Sequence, residues 1–198
     1  MNWYKNAAQS NDGKPDNWKE MEDWFEERTK KHIDRVSKYC NLIADEDDRF
    51  EELRERAKIH DQSKFESPER EPYVYITWKY KCEDDDVDWE APEGLDDEMN
   101  KATEHHVKSA SNRHHPEFHS EKEVDLINRK DRDKPPEEMI DATKMPDLDV
   151  AEMVADWCSM SEEKGGHPRD WAKKNVNVRW KFTEDQEDLI YELIGKVF

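Results

Sequence analysis

The first predicted helix of this chain carries a histidine on its apolar stripe. Between residues 17 and 44, one face is formed at helical steps by Phe25, His32, Val36, Tyr39 and Ile43. This spacing predicts an amphipathic helix that packs its apolar face against the rest of the domain. His32 is therefore expected to point inward. A histidine in such a position is more often a hydrogen-bonded core residue than a ligand, so its role depends on the residues that follow.

Helical periodicity continues along most of the chain and predicts an all-α protein of six or seven helices. Ser67 is expected to cap the third helix, with Pro68 at its first position and Glu69 in its first turn. Thr183 and Gln186 have the spacing of a capping box and predict the start of a C-terminal helix. Other helices are expected at residues 48–60, 96–110 and 148–160, with a short one after His167.

The chain is expected to form one domain. A polar N-terminal arm over residues 1–16 precedes a single helical domain over residues 17–198. Residues 83–98 are strongly acidic and contain no basic residue, which predicts a solvated insert. Residues 119–146 are charged and contain prolines, and we expect a second insert there with little core.

Charge and composition exclude several classes of partner. The formal net charge is −19, whereas a groove for a nucleic-acid polymer requires a surplus of lysine and arginine. No stretch approaches the roughly 18 apolar residues of a membrane span, and the N-terminal residues lack the apolar segment of a secretory signal. The three cysteines have neither disulfide-framework nor zinc-knuckle spacing. We therefore expect a cytoplasmic protein that binds neither membranes nor nucleic-acid polymers.

Histidine and aspartate recur in a pattern that suits a metal ion. His60 and Asp61 are adjacent at the inner end of the second predicted helix, and Asp156 lies next to the buried side of residues 148–160. With His32 they combine imidazole and carboxylate ligands, which suit Mn, Fe, Zn, Ni or Co better than calcium. A metal held by four such ligands keeps positions open for a water molecule with a lowered pKa.

The order of these residues resembles the HD-domain superfamily of metal-dependent phosphohydrolases. The segments His-Asp-x-Ser-Lys-Phe, Asn-x-His-His-Pro-Glu and Glu-Met-x-x-Asp-Trp look like a small family of phage and bacterial HD-like proteins. The resemblance covers roughly residues 30–160 and implies an HD-like helical bundle. It also implies that a metal is bound by His32, His60, Asp61 and Asp156. The Gly-Tyr-Pro signature of the cyclic-dinucleotide branch does not occur.

The resemblance also assigns candidate residues for catalysis or for a second metal. In two-metal members the paired aspartate bridges the ions and further histidines complete the second site, which here would be His106, His114 and His115. Helical spacing favours His106 over His105 as the inward residue. Lys64 follows Asp61 at the spacing where family members place a basic group near the substrate. Arg35 and Arg113 are further candidates for binding a phosphate.

The implied function is hydrolysis of a nucleotide or other small phosphoester by a metal-activated water. This function implies one or two divalent transition-metal ions per chain and a small phosphorylated substrate. If the protein is viral, we expect it to act in the host cytoplasm. One alternative is an HD-type di-iron oxygenase, which uses a similar set of four histidines and two aspartates. Another is a non-catalytic viral or bacterial binding protein that retains the fold. The sequence leaves the oligomeric state and the substrate open.

Overall fold

The computed structural model describes residues 14–121 and 138–198, and within them the protein is all-α as predicted. Two short strands, β1 (Ile140–Asp141) and β2 (Trp180–Lys181), pair in parallel with Ile140 opposite Trp180. The helices are α1 (Trp18–Glu46), α2 (Leu53–Arg56), α3 (Arg70–Asp84), α4 (Leu95–Lys108), α5 (Asp147–Lys164), α6 (Pro168–Asn175) and α7 (Glu184–Val197).

Helix α1 is the central element and packs against α2, α3, α5 and α7. Its buried positions follow the predicted stripe and divide between two apolar clusters. Met21 and Phe25 pack with residues of α3 and α4, whereas the stripe from Val36 onward packs with α2, α5 and α7. The buried stripe positions between the two clusters are Thr29 and His32. The polar centre described below therefore begins where the apolar core is interrupted.

Helix α7 begins at the predicted capping box. The backbone N–H of Gln186 donates to Thr183 Oγ1 at 3.2 Å, and the backbone N–H of Thr183 donates to Gln186 Oε1 at 2.8 Å. The Gln186 amide also donates to the carbonyl oxygen of Met145 at 2.7 Å. Since Gln186 is buried, this bond fixes the segment before α5 against the start of α7.

The prediction of one helix over residues 48–60 is wrong. The segment forms a 3-10 turn (Asp48–Phe50), the four-residue α2 and a series of turns. The Asp47 side chain accepts the backbone N–H of Arg49 at 3.0 Å, and this local bond stabilises the separate first turn. His60 still donates its backbone N–H to the carbonyl oxygen of Arg56 at 3.0 Å, so it ends a helical turn.

The predicted cap of the third helix is also wrong. Helix α3 begins at Arg70, with Glu69 and not Ser67 at its N-cap position. Glu69 does not cap the helix with its side chain. It is fully buried and accepts bonds from histidines of α4, which are stronger partners than solvent.

The acidic stretch at 83–98 is a shorter insert than predicted. Residues 85–94 lie between α3 and α4, and Trp89 within them packs against the apolar cluster. In the second stretch, Ile140 and Met145 are buried core residues, so the expectation of little core over 119–146 is wrong for its described end. Residues 122–137, like most of the predicted N-terminal arm, lie outside the described residues.

Among the helices of the described segments, none combines the length and the apolar character that crossing a membrane requires.

Candidate metal centre

Four side chains from α1, α5 and the turn after α2 meet at one point. Nε2 of His32 lies 3.3 Å from Asp61 Oδ2 and 3.2 Å from Asp156 Oδ1. Nε2 of His60 lies 3.8 Å from Asp61 Oδ1. Ligands bound at about 2.0–2.2 Å from a metal lie roughly 3–3.6 Å from one another. The structure thus brings donor atoms of His32, His60 and Asp61 within 4.8 Å of one another and places Asp156 against His32.

A second group of histidines lies around Oδ1 of Asp61, the oxygen that His60 also faces. Oδ1 of Asp61 lies 3.2 Å from His106 Nε2 and 3.9 Å from His114 Nε2. Donor atoms of these residues and of His115 all lie within 4.8 Å of one another. Oδ2 of Asp61 faces His32, whereas Oδ1 faces His60 as well as His106 and His114, so imidazole nitrogens converge on both oxygens of one carboxylate. This is the arrangement that a bridging carboxylate requires.

The backbone of Asp61 has a left-handed conformation, with φ 58° and ψ 9°. Aspartate adopts this region more readily than most residues other than glycine, although a cost remains. In a regular helix, adjacent side chains point about 100° apart. The left-handed residue breaks the helical turn directly after His60, and both side chains then reach the same centre. A strained residue in this place is typical of a functional site.

Several buried polar atoms in this centre have no hydrogen-bond partner among the described residues. They are Nε2 of His60, His106 and His115, Nδ1 of His114 and Oδ1 of Asp61. A buried polar group without a partner costs about 1–3 kcal/mol. A cation bound between them would accept their lone pairs, and imidazole with carboxylate is a donor set for transition metals. The residues present therefore fit a metal ion.

The outer nitrogens of three histidines are held by other side chains. Nδ1 of His60 lies 2.9 Å from Glu152 Oε1, and Nδ1 of His106 lies 2.8 Å from Glu69 Oε2. Nδ1 of His32 lies 3.2 Å from the Ser159 hydroxyl. An imidazole that donates from Nδ1 keeps its lone pair on Nε2, the nitrogen that faces the centre. Metal-binding histidines in proteins are held in this way.

Glu152 connects this outer layer to α2. Its Oε1 also lies 3.5 Å from His114 Nδ1, and its Oε2 lies 2.6 Å from Arg56 Nη2. Arg56 forms a second ion pair with Asp149, which is buried like Glu152. Because Arg56 already pairs with Glu152, this carboxylate is less available to a cation, and its hydrogen bond with His60 makes it a support for the centre.

Sequence reasoning missed Glu69 and Glu152 as parts of the site. Glu152 lies one helical turn before Asp156 on α5, and this spacing was the available signal. No sequence signal pointed to Glu69, because its two partners on α4 lie 36 and 37 positions further along the chain. Its second histidine partner is His105, whose side chain is 49% exposed, whereas that of His106 is 2% exposed. The preference for His106 as the inward residue is therefore confirmed.

The carboxylates of the centre are ionised at neutral pH. Burial alone would raise the pKa of Asp61, but the ammonium of Lys64 and the neighbouring His60 hold this pKa well below its usual range. Burial likewise opposes ionisation of Asp156, yet its hydrogen bond with His32 lowers the pKa to about 2. Both groups therefore present the charged form that binds a cation.

The surroundings of His32 raise the pKa of its imidazole, whereas those of His115 lower it. Burial lowers the pKa of His32, but hydrogen bonds with Asp156 and Asp61 raise it to about 8. Burial and the adjacent His114 hold the pKa of His115 well below its usual range. A neutral His115 keeps a lone pair available at neutral pH.

A cavity of about 220 Å³ leads to the centre. Asp61, Asp156 and His115 contribute to its wall, as do the cations of Lys64 and Arg28. The remaining lining residues are Thr29, His32, Tyr73, Ile76, Thr77, Tyr80, Thr103, His114 and Met160. The wall thus combines candidate ligands with positive charge and aromatic surface.

The predicted phosphate-binding cations have different positions. Lys64 lines the cavity, and its ammonium forms an ion pair with Asp61 Oδ2. Arg35 and Arg113 are not among the lining residues. Arg35 pairs with Glu163, and Nε of Arg113 lies 3.2 Å from Asp149 Oδ2.

The cysteines have no role in this centre. All three are free and buried, and burial raises the pKa of the Cys158 thiol to about 12. A thiol of this kind is packed in the core and is not a nucleophile at neutral pH.

Comparison with known proteins gives a family without an assigned function. No curated protein and no solved structure matches the chain. One family model matches residues 21–196, a range that contains the whole candidate metal centre. The resemblance to HD-domain proteins stays a prediction, since the matched family names no chemistry. The chain belongs to the family of unknown function DUF5662.

Proposed function

We propose that the protein is a metal-dependent phosphohydrolase of the HD type that acts on a nucleotide or another small phosphoester. The observation that carries the proposal is the position of Asp61. Its Oδ2 faces His32 and its Oδ1 faces His60 and His106, and the outer nitrogens of these three imidazoles are held by hydrogen bonds. One or two divalent transition-metal ions, of Mn, Fe, Zn, Ni or Co, suit these ligands.

Two sets of residues would hold the ions. The first consists of His32, His60, Asp61 and Asp156, and the second shares Asp61 with His106, His114 and His115. When bound, such ions lower the pKa of a coordinated water and offset the charge of a phosphoryl group. Both functions are needed for the hydrolysis of a phosphoester at neutral pH.

The chain's own residues prepare the site for an anion. Glu152 and Glu69 fix the imidazole rings, so that little reorganisation is needed when a ligand binds. The ammonium of Lys64 reaches Asp61 at the wall of the cavity. There it is placed to donate a hydrogen bond to a phosphoryl oxygen once Asp61 is engaged by a cation.

The cavity and the charge of the protein favour a small substrate. A volume of about 220 Å³ corresponds to roughly seven water molecules. The net charge of −19 opposes binding of a nucleic-acid polymer, whereas a bound metal inverts the field for a small anion.

The test combines metal analysis with a substrate panel. Purified protein is analysed for metals, loaded with each candidate metal and incubated with nucleoside mono-, di- and triphosphates and cyclic dinucleotides, with and without oxygen. We expect phosphate or nucleoside release in both conditions. Asp61→Asn should abolish it, and Asp23→Asn on the exposed face of α1 is the matched control.

Other outcomes would assign the protein to another class. Turnover that requires oxygen would identify a di-iron oxygenase, which uses the same kind of ligand set. Absence of both bound metal and turnover would leave a binding protein that retains the fold. Either result would overturn the proposal.

A further inference from the structure

Two arginines of α1 share one carboxylate of α5 beside the cavity. Nε of Arg28 donates to Glu163 Oε1 at 3.1 Å, and Arg35 forms an ion pair with Oε2 of the same glutamate. The neighbouring carboxylate, Glu162, is engaged by Lys38 at 2.7 Å and by a tyrosine hydroxyl. Two guanidinium charges therefore face a single negative charge, in a chain whose net charge is −19.

Arg28 lines the same cavity as the candidate metal centre, whereas Arg35 does not. Arg28 lies one turn before His32 on α1, about 6 Å along the helix axis. Its partner Glu163 lies seven residues after Asp156 on α5, about 10 Å along that axis. An anion held by Arg28 would thus occupy the cavity beside the centre and not the point where Asp61 and Asp156 meet.

We propose that Arg28 binds a second anionic group of the substrate, so that the substrate class is a phosphoester with at least two phosphoryl groups. The first anionic group is the phosphoryl group at the metal centre, and its identity rests on the proposed function. The guanidinium presents several N–H donors to phosphate oxygens in a planar fork. In the absence of substrate, Glu163 holds Arg28 in place.

Binding would exchange one anion for another at Arg28. Glu163 would keep its ion pair with Arg35 while the substrate's phosphoryl oxygens replace it at Arg28. Because the glutamate retains a cationic partner, the exchange leaves no buried charge without compensation. Glu163 therefore acts as a competitor of the substrate for Arg28.

The experiment measures anion binding to the purified full chain with its bound metals retained. Titration calorimetry at low ionic strength compares inorganic phosphate, pyrophosphate, tripolyphosphate and adenosine 3′,5′-bisphosphate. The last two distinguish a phosphoryl chain from two separated phosphates. We expect at least one of the probes with two or more phosphoryl groups to bind more tightly than phosphate. Arg28→Gln should weaken this binding about tenfold, the loss expected for one charge-assisted contact.

Two further variants keep the test independent of folding defects. Glu163→Gln removes the competing charge and should strengthen binding several-fold, a direction that damage to the fold would not produce. Arg54→Gln removes a partly exposed arginine that pairs with Asp45 and Glu51 outside the cavity, and it should bind like the wild type. Arg28→Lys keeps the charge without the planar fork and should have intermediate affinity.

The results separate this inference from the proposed function. Equal affinities of wild type and Arg28→Gln, weaker binding by Glu163→Gln, or no binding by the wild type would each overturn the role of Arg28, even if the metal-loaded protein hydrolyses phosphoesters. Arg28-dependent binding of pyrophosphate or the bisphosphate without any hydrolysis would support Arg28 as an anion site and overturn only the proposed function.

Discussion

Glu152 Oε1 accepts a hydrogen bond from His60 Nδ1 at 2.9 Å, and both side chains are buried. The same oxygen lies 3.5 Å from His114 Nδ1. One carboxylate thus holds His60 by a hydrogen bond and lies beside His114, which belongs to the other proposed ligand group. The lone pair of His60 that faces Asp61 depends on the first of these contacts, because donation from Nδ1 leaves Nε2 of the ring free.

The first prediction is that Glu152→Gln weakens metal binding about tenfold to a hundredfold, the usual effect of removing an outer carboxylate. The amide presents an N–H in place of one acceptor and no longer balances Arg56. Competition titration with a chromogenic chelator measures the affinity. Glu55→Gln, an exposed residue paired with Lys58, is the control. Unchanged affinity would mean that Glu152 has only a packing role.

The second prediction is that Asp61→Asn removes bound metal while the helical fold survives. Asparagine tolerates the left-handed backbone at this position, so the change isolates the loss of the carboxylate charge. Elemental analysis and circular dichroism are the measurements. A variant that retains full metal content would contradict the assignment of Asp61 as a ligand.

The third prediction concerns the number of metal ions. His106→Ala and His114→Ala should each reduce the metal content from about two ions per chain to about one, since Nε2 of each ring faces Asp61 Oδ1 and neither ring belongs to the first ligand set. Native mass spectrometry counts the ions directly. His105→Ala is the control, because this ring is half exposed and contacts only Glu69 of the outer layer. Retention of two ions in both variants would place these histidines in contact with the substrate instead.

Much of the fold follows from local pattern, and α1 is the clearest case. Its length and the inward position of His32 could be predicted because apolar spacing alone determines which face is buried. The same reasoning distinguished His106 from its neighbour. Where local hydrogen bonds compete with periodicity, as after Asp47, the predicted helix was wrong.

The supporting layer of the site could not be predicted in the same way. Glu69 and Arg56 are polar residues whose burial depends on partners in other helices, and a single sequence gives no sign of such pairs. The left-handed backbone of Asp61 was also beyond prediction, because aspartate is only moderately enriched in that region. Ligand types could be identified from the sequence, whereas the groups that orient them required the packed structure.

The last prediction separates the effect of Lys64 on metal affinity from its effect on turnover. The Lys64 ammonium pairs with Asp61 and competes there with any cation. Lys64→Gln should therefore raise the affinity for a divalent metal at least about threefold, since a like charge near the site is removed. If Lys64 also binds a phosphoryl oxygen, the turnover number of the metal-loaded variant should fall by about tenfold or more.

Opposite changes in metal affinity and turnover are a combination that simple damage to the fold would not produce. Lys58→Gln, an exposed change close by in sequence, should alter neither quantity. A fall in metal affinity would show that Lys64 supports the ligands and does not oppose the cation. Unchanged turnover at saturating metal would exclude Lys64 from substrate binding. Among the lysines and arginines of the described residues, Arg28 would then be the remaining one in the cavity wall.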